Sequence, residues 1–262
     1  MLDLLKVAVC ALKALTVSMQ LSQSPSVAAE KIKVGLELMP PLIISGSEGH
    51  TVTLLRRIEE VTGLSFEIAV MPYNRAKAQL ANGNIDLMGH TPYRVEERQF
   101  YNYALELDWH LPTQVDLYWT HPESQDENFS KLNRIGTQRG NGNFLAARYH
   151  LEPDRFFEAD LPQLVKMLVR NRLDGIIFER ASTMSTIRTL DADGIHYRQL
   201  DKRIAIGLAV RKSDDGALLK QRLDRAIQEV DVASVYQSYL RYRRLPQRGT
   251  VKLKDNGAFL SP

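Results

Sequence analysis

The residues of this chain with types suited to chemistry fall where short apolar runs end and helical patterns begin. Glu37 and Met39 follow a first apolar run. Gly89, His90 and Thr91 follow a third, and Glu179 closes a later one. Tyr73 and Arg75 stand at one helix start, and Gly140, Asn141, Gly142 and Asn143 at another. In open α/β sheets ligands sit outside the carboxyl ends of strands and near helix N-termini, so these positions are candidates for holding a small molecule. A guanidinium fork binds a carboxylate bidentately, a glutamate accepts from an ammonium, and free backbone N–H groups at a turn bind an anion. Together these groups are the needs of an α-amino acid.

Other chemistries lack their residues. His110, His121, His150 and His196 have no metal-ligand spacing, and no HExxH, GxSxG, P-loop or GxGxxG pattern occurs. No metal and no cofactor is expected. Cys10 is the only cysteine, which leaves no disulfide and no thiolate nucleophile beyond the N-terminal segment. With 34 basic against 31 acidic residues the charge is nearly balanced, and Arg241-Tyr-Arg-Arg244 reads as a solvated helix end. No nucleic-acid partner is expected.

The elements that must position the candidates alternate strand and helix. Ile32 to Leu38 reads as a strand stopped by Pro40-Pro41. Val52, Leu55, Ile58 and Val61 repeat at helical spacing before Gly63. A strand from Leu64 to Val70, a helix opened by Pro72 and a strand from Ile85 to Met88 complete a βαβαβ half. A second half follows the same order. It has a strand Arg134 to Thr137, a helix Phe144 to Tyr149, a short strand at Phe156-Phe157, a helix with Asp160 as N-cap, and a strand Gly175 to Phe178. Parallel sheets with helices on both faces are expected.

A repeated pattern ties the halves together: LANGNIDLMG (80–89) and LVRNRLDGII (168–177). Each is a helix end, an αL-prone turn at Gly83 or Asn171, an aspartate and a buried strand. Two extended runs, Trp109 to Trp119 and Ile204 to Val210, join the halves as a hinge. Leu218 to Val230 and Val235 to Leu240 read as amphipathic helices that return to the first half, and Gln247 to Pro262 shows no periodicity. The N-terminus has the pattern of a secretory signal: Lys6, an apolar stretch from Val7 to Leu21, and small residues at Val27-Ala28-Ala29. The expected organisation is a signal over 1–29, a discontinuous lobe of 30–112 and 208–262, and a second lobe of 113–207.

The segments IKVGLELMPPL (32–42), PYNRAKAQLANGNID (72–86), TPYRVEER (91–98), RIGTQRGNGN (134–143), RLDGIIFER (172–180) and IAIGLAVRKSDD (204–215) carry a further observation. In order and spacing the chain resembles the type II periplasmic solute-binding proteins of the polar amino acid class, bacterial extracellular solute-binding protein family 3. The resemblance implies an α/β fold of two βαβαβ lobes on a two-strand hinge, closing on a ligand. It implies that an arginine after the third strand binds the ligand carboxylate. Arg98 is favoured by its Glu-Arg-Gln-Phe context, with Arg94 the alternative. It implies that the turn at Gly140-Asn-Gly142 helps to hold that carboxylate and that Glu179 accepts from the ammonium. Met39 stands where the family carries an aromatic, and Asn141 and Glu179 replace its usual Ser/Thr and Asp.

The function expected is therefore a non-catalytic periplasmic binding protein. Its partners would be a small amino-acid-like carboxylate, acidic if Arg75 binds a second acid group, and a membrane ABC permease. A monomer is expected. Two alternatives stay open: a dehydratase acting on prephenate-like acids with Glu179 as general acid, and a ligand sensor feeding a membrane kinase.

Overall fold

The computed structural model describes residues 29–120 and 131–253. The proposed signal, save Ala29, lies outside them. In the first lobe the strands are β1 (Lys31–Leu36), β2 (Ser65–Val70) and β3 (Leu87–Pro92), and the helices are α1 (His50–Thr62), α2 (Tyr73–Ala81) and the short α3 (Phe100–Tyr103). A long strand, β4 (Ala104–Trp119), leads to the second lobe. That lobe holds β5 (Ile135–Thr137), α4 (Gly142–Tyr149), β6 (Phe156–Glu158), α5 (Leu161–Val169), β7 (Gly175–Glu179) and α6 (Arg180–Thr189). A second long strand, β8 (His196–Arg211), returns. α7 (Asp214–Glu229), α8 (Val232–Val235), α9 (Gln237–Leu240) and β9 (Arg248–Thr250) follow.

The helices form where apolar spacing requires burial. Val52, Leu54, Leu55 and Ile58 of α1 are buried, and Gly63 ends the helix at φ 70°, donating its N–H to Glu59. The αL turns at Gly83 (φ 72°) and Asn171 (φ 54°) are present in both copies of the doubled pattern. The aspartates have one task in both copies. Asp86 accepts the N–H of Lys33 at 2.9 Å, and Asp174 accepts those of Asn133 and Arg134 at 2.8 and 3.0 Å. Each carboxylate thus pins the neighbouring central strand, β1 or β5, in register.

Strand order is β2-β1-β3-β8-β4-β7-β5-β6, with β9 beside β8. Within each lobe the three short strands pair in parallel. The long β4 and β8 pair antiparallel to β7, to β3 and to each other. Each lobe's sheet is therefore mixed, not purely parallel, because the crossing strands join the sheets instead of running outside them. β4 starts five residues and β8 eight residues before the apolar runs that signalled them, because ladder pairing extends through polar positions such as Glu106 and Gln199. Register shifts between Glu106 and His110 and between Thr113 and Asp116 bend the pair where it passes from lobe to lobe.

The end of the chain differs from expectation. α7 packs on α1 and the first lobe, with Ser213 capping it through Gly216 N–H at 3.1 Å. The helix expected over Val235–Leu240 is broken at Tyr236, whose ring is buried and whose hydroxyl lies 3.1 Å from Thr51 Oγ1. From Tyr242 the chain lies on the second lobe, against α6, and β9 pairs with His196–Arg198. The boundary drawn at 208 therefore does not hold for this segment, and part of the aperiodic tail is a strand; residues 254–262 lie outside the described ones.

Candidate interlobe binding site

The carboxyl ends of β1, β3, β5 and β7 meet between the lobes. There a cavity of about 40 Å³ is lined by Glu37, Met39, His90 and Pro92 from the first lobe and by Asn141, Phe144, Leu145, Phe178 and Glu179 from the second. Thr113, Val115, Ile204 and Ile206 of the crossing strands close it from below. An outer groove of about 380 Å³ adjoins it, lined by Tyr73, Lys77, Glu96, Gly140 and Arg148, and Phe144 borders both. A larger groove of about 570 Å³ runs beside α7 past Glu30, Arg211 and Arg222. It lies at the amino end of β1, the wrong end of the sheet for a ligand under the strand-end rule.

The two lobes touch directly at the cavity. Asn141 Nδ2 donates to Glu37 Oε1 at 2.7 Å, and Gln138 Nε2 donates to the carbonyl of Leu38 at 3.3 Å. Glu37 is 3% exposed, and burial pushes its carboxyl up to about 8. His90 is 3% exposed, and burial lowers its imidazole to about 3, so it is neutral at pH 7. Its Nε2 lies 2.8 Å from Thr51 Oγ1, which in turn meets Tyr236; its buried Nδ1 has no hydrogen-bond partner. The buried Thr91 Oγ1 also has none.

Glu179 sits differently from the role the resemblance implies. It is the N-cap of α6, where Ala181 N, Ser182 N and Ser182 Oγ donate to it at 3.0, 2.7 and 2.7 Å. Thr113 Oγ1 at 2.5 Å and Tyr239 OH at 3.2 Å add two more donors. Five donors saturate a carboxylate that has about four lone-pair sites. Its oxygens are committed to the protein, although its side chain lines the cavity.

The Gly140-Asn-Gly142 turn does bind a carboxylate, but the protein's own. Gly140 N and Gly142 N donate to the two oxygens of Glu158 at 2.8 and 2.7 Å. Asp160, expected to cap α5, holds the N-cap position but makes no side-chain cap bond. Pro162 at the second helical position has no N–H to give, and the Asp160 carboxylate pairs with Arg139 at 3.1 Å, while Gln138 Oε1 takes the Leu161 N–H at 3.0 Å.

The arginines are elsewhere. Arg75 and Arg98 are exposed and line neither space between the lobes. Arg94, at φ 58°, lies over the Tyr93 ring and gives its backbone N–H to Glu106. Tyr73 is buried, with its hydroxyl held by Glu96, which also binds Lys77. Gly89 is a close-approach position, since an added Cβ would stand 2.3 Å from a Leu208 methyl. Of the candidates, Glu37, Met39, His90, Asn141 and Glu179 are brought together around the cavity. Gly140, like Tyr73, lines the outer groove, and Gly89, Thr91 and Gly142 are chain neighbours of cavity-lining residues without lining it themselves. The apolar wall was not anticipated, though Thr113, Val115 and Ile204, Ile206 alternate as one face of a strand does. Thr51, Tyr236, Tyr239 and Glu158 carry no local signal. Among the described residues no group of side chains could hold a metal ion, and no helix is long and apolar enough to cross a membrane.

No family model and no curated protein matches the sequence. Solved structures do match its fold. An ancestral arginine-binding protein bound to arginine is 16% identical over 81% of this chain and 99% of its own, with a TM-score of 0.69. A histidine kinase sensor domain with similarity to periplasmic binding proteins is 18% identical over 86% and 99%, at 0.66. A Streptococcus pneumoniae amino acid ABC transporter substrate-binding protein bound to L-arginine is 15% identical over 82% and 97%, at 0.63. The fold is thus the two-lobed α/β fold of periplasmic binding proteins, as the resemblance implied.

Proposed function

We propose that this chain is a non-catalytic solute-binding protein that closes its lobes on a small ligand bearing an amine. The observation that carries this reading is the cavity shared by both lobes, whose titratable lining groups are Glu37, His90 and Glu179, with no lysine or arginine. An ammonium there would ionise Glu37 and pair with it, and His90 Nδ1 offers a second polar contact in the tautomer that leaves it unprotonated. The acidic ligand inferred from two arginines has no counter-charge in this cavity. Fold neighbours that are amino acid ABC transporter substrate-binding proteins support a role in solute capture for an ABC permease, and in this reading the chain works in the periplasm as a monomer.

The sensor reading draws on a separate observation. The C-terminal segment reaches the first lobe's His90 through Tyr236 and Thr51, and the second lobe's Glu179 through Tyr239. Lobe movement would therefore be felt in that segment, and one fold neighbour is a histidine kinase sensor domain. The dehydratase reading needs Glu179 as an acid, and that carboxylate is saturated.

Thermal-shift titration with a panel of small amines tests the proposal, since a ligand that binds only the folded state raises Tm. A binder should be lost in Glu37→Gln. No shift with any amine, or an undiminished shift in Glu37→Gln, refutes it.

A further inference from the structure

The geometry points to Glu158 as a built-in carboxylate that fills the anion-binding turn of the cleft, so that the site takes amines carrying no carboxylate of their own. This inference rests on the solute-binding reading and narrows its ligand class.

The turn that opens α4 presents two backbone N–H groups to one carboxylate, one oxygen each, at 2.8 and 2.7 Å. That is the arrangement by which a helix start holds an anion. Gly142 makes the approach possible: a Cβ there would stand 2.6 Å from Glu158 Oε1. Between the two glycines, Asn141 turns to the other side and donates to Glu37 at 2.7 Å. One three-residue turn thus holds Glu158 on one side and the cavity's acid on the other.

The consequence for a ligand is electrostatic. Glu158 is near enough to Glu37 for its charge to help raise that carboxyl. A ligand carboxylate brought to this turn would find both amides already taken by Glu158, and in the adjoining cavity it would meet Glu37 with no cation to pair with. An ammonium would find Glu37, and beside it the buried Nδ1 of His90 that no protein group satisfies. The rest of its surroundings, Met39, Phe144, Phe178 and Ile206 among them, suits an apolar body.

Two arms test this with the full chain. In the first, amide NMR follows Gly140 and Gly142 while sodium acetate is added against sodium chloride at equal ionic strength. The two signals should stay still in the native protein and move saturably in Glu158→Ala, with apparent acetate affinity raised about tenfold or more. Glu158→Gln, which keeps the side-chain shape and loses the charge, should fall between them. Equal movement in native protein and Glu158→Ala, or none in either, overturns the inference. In the second arm, Tm is read with n-butylamine and with L-norvaline, which differ by the carboxylate. The native protein should respond to the amine and not to the amino acid, and Glu158→Ala should narrow the difference. A native response to L-norvaline equal to that for the amine overturns the inference. If butylamine moves nothing while acetate occupies the turn of Glu158→Ala, the amine-binding reading falls and the role of Glu158 stands.

Discussion

Replacing Glu37 by glutamine should flatten the pH dependence of stability above neutrality. Glu37 titrates at about 8 in the folded protein and near 4.5 unfolded. Between those values the native state binds the proton and the unfolded state has lost it. Stability therefore falls as pH rises through this window, at up to about 1.36 kcal/mol per unit. His90 works in the other sense. Its folded value of about 3 lies below its ordinary 6.5, so it adds stability as pH rises between them. The two slopes oppose one another between about 4.5 and 6.5. Above pH 6.5 only that of Glu37 continues, to about 8, for a loss of roughly 1.5–2 kcal/mol. For a chain of this size the loss corresponds to a fall in Tm of roughly 3–8 °C. Glutamine keeps an acceptor for Asn141 Nδ2 and cannot ionise. Melting curves between pH 6.5 and 8.5 should fall for the native protein and stay level for Glu37→Gln. Parting of the lobes would hydrate Glu37 and relieve the same energy, so the radius of gyration is measured alongside. Parallel pH profiles of the two proteins in both quantities would refute the reasoning.

Three further outcomes follow from the same contacts. Asp116 and Arg180 form a bidentate pair at 2.7 and 2.9 Å with both side chains essentially buried. Asp116→Ala strands a guanidinium and should cost roughly 3–5 kcal/mol in denaturant unfolding; a cost below about 1 kcal/mol contradicts the geometry. Glu179→Ala leaves two backbone N–H groups and three hydroxyls without their acceptor and should cost roughly 3 kcal/mol by the same measurement. Near-neutral behaviour would reopen Glu179 as a free ligand-binding group. Arg98→Ala and Arg75→Ala, both at exposed positions, should leave stability within about 0.5 kcal/mol and ligand affinity within about twofold. A tenfold loss in either would restore an arginine clamp.

Much of the architecture is legible in local order. Apolar spacing marked α1, α2 and α5, and alternation marked β2, because burial of one helix stripe or one strand face is written at fixed intervals along the chain. The doubled Leu-to-Asp pattern marked two equivalent helix–turn–strand units, and each aspartate locks the central strand of its lobe. The strand ends selected Glu37, Met39 and His90 and a helix start selected Asn141, since both need only the sequence positions where elements end and begin.

The roles of these residues were decided by the tertiary structure. Glu179 has the type and place of an ammonium acceptor, yet donors from Thr113 and Tyr239, 66 and 60 residues away, complete a cap around it. The Gly140-Asn-Gly142 turn has the form of an anion site, and Glu158 on the neighbouring strand occupies it. Arg98 has the chemistry of a carboxylate clamp but stands in solvent. Chain order alone specifies what a side chain can bind and the element that carries it. Whether its hydrogen-bonding capacity is left for a ligand depends on groups far away in sequence. Here they arrive from the other lobe, the crossing strands and the C-terminal segment, and only the fold brings them to the cleft.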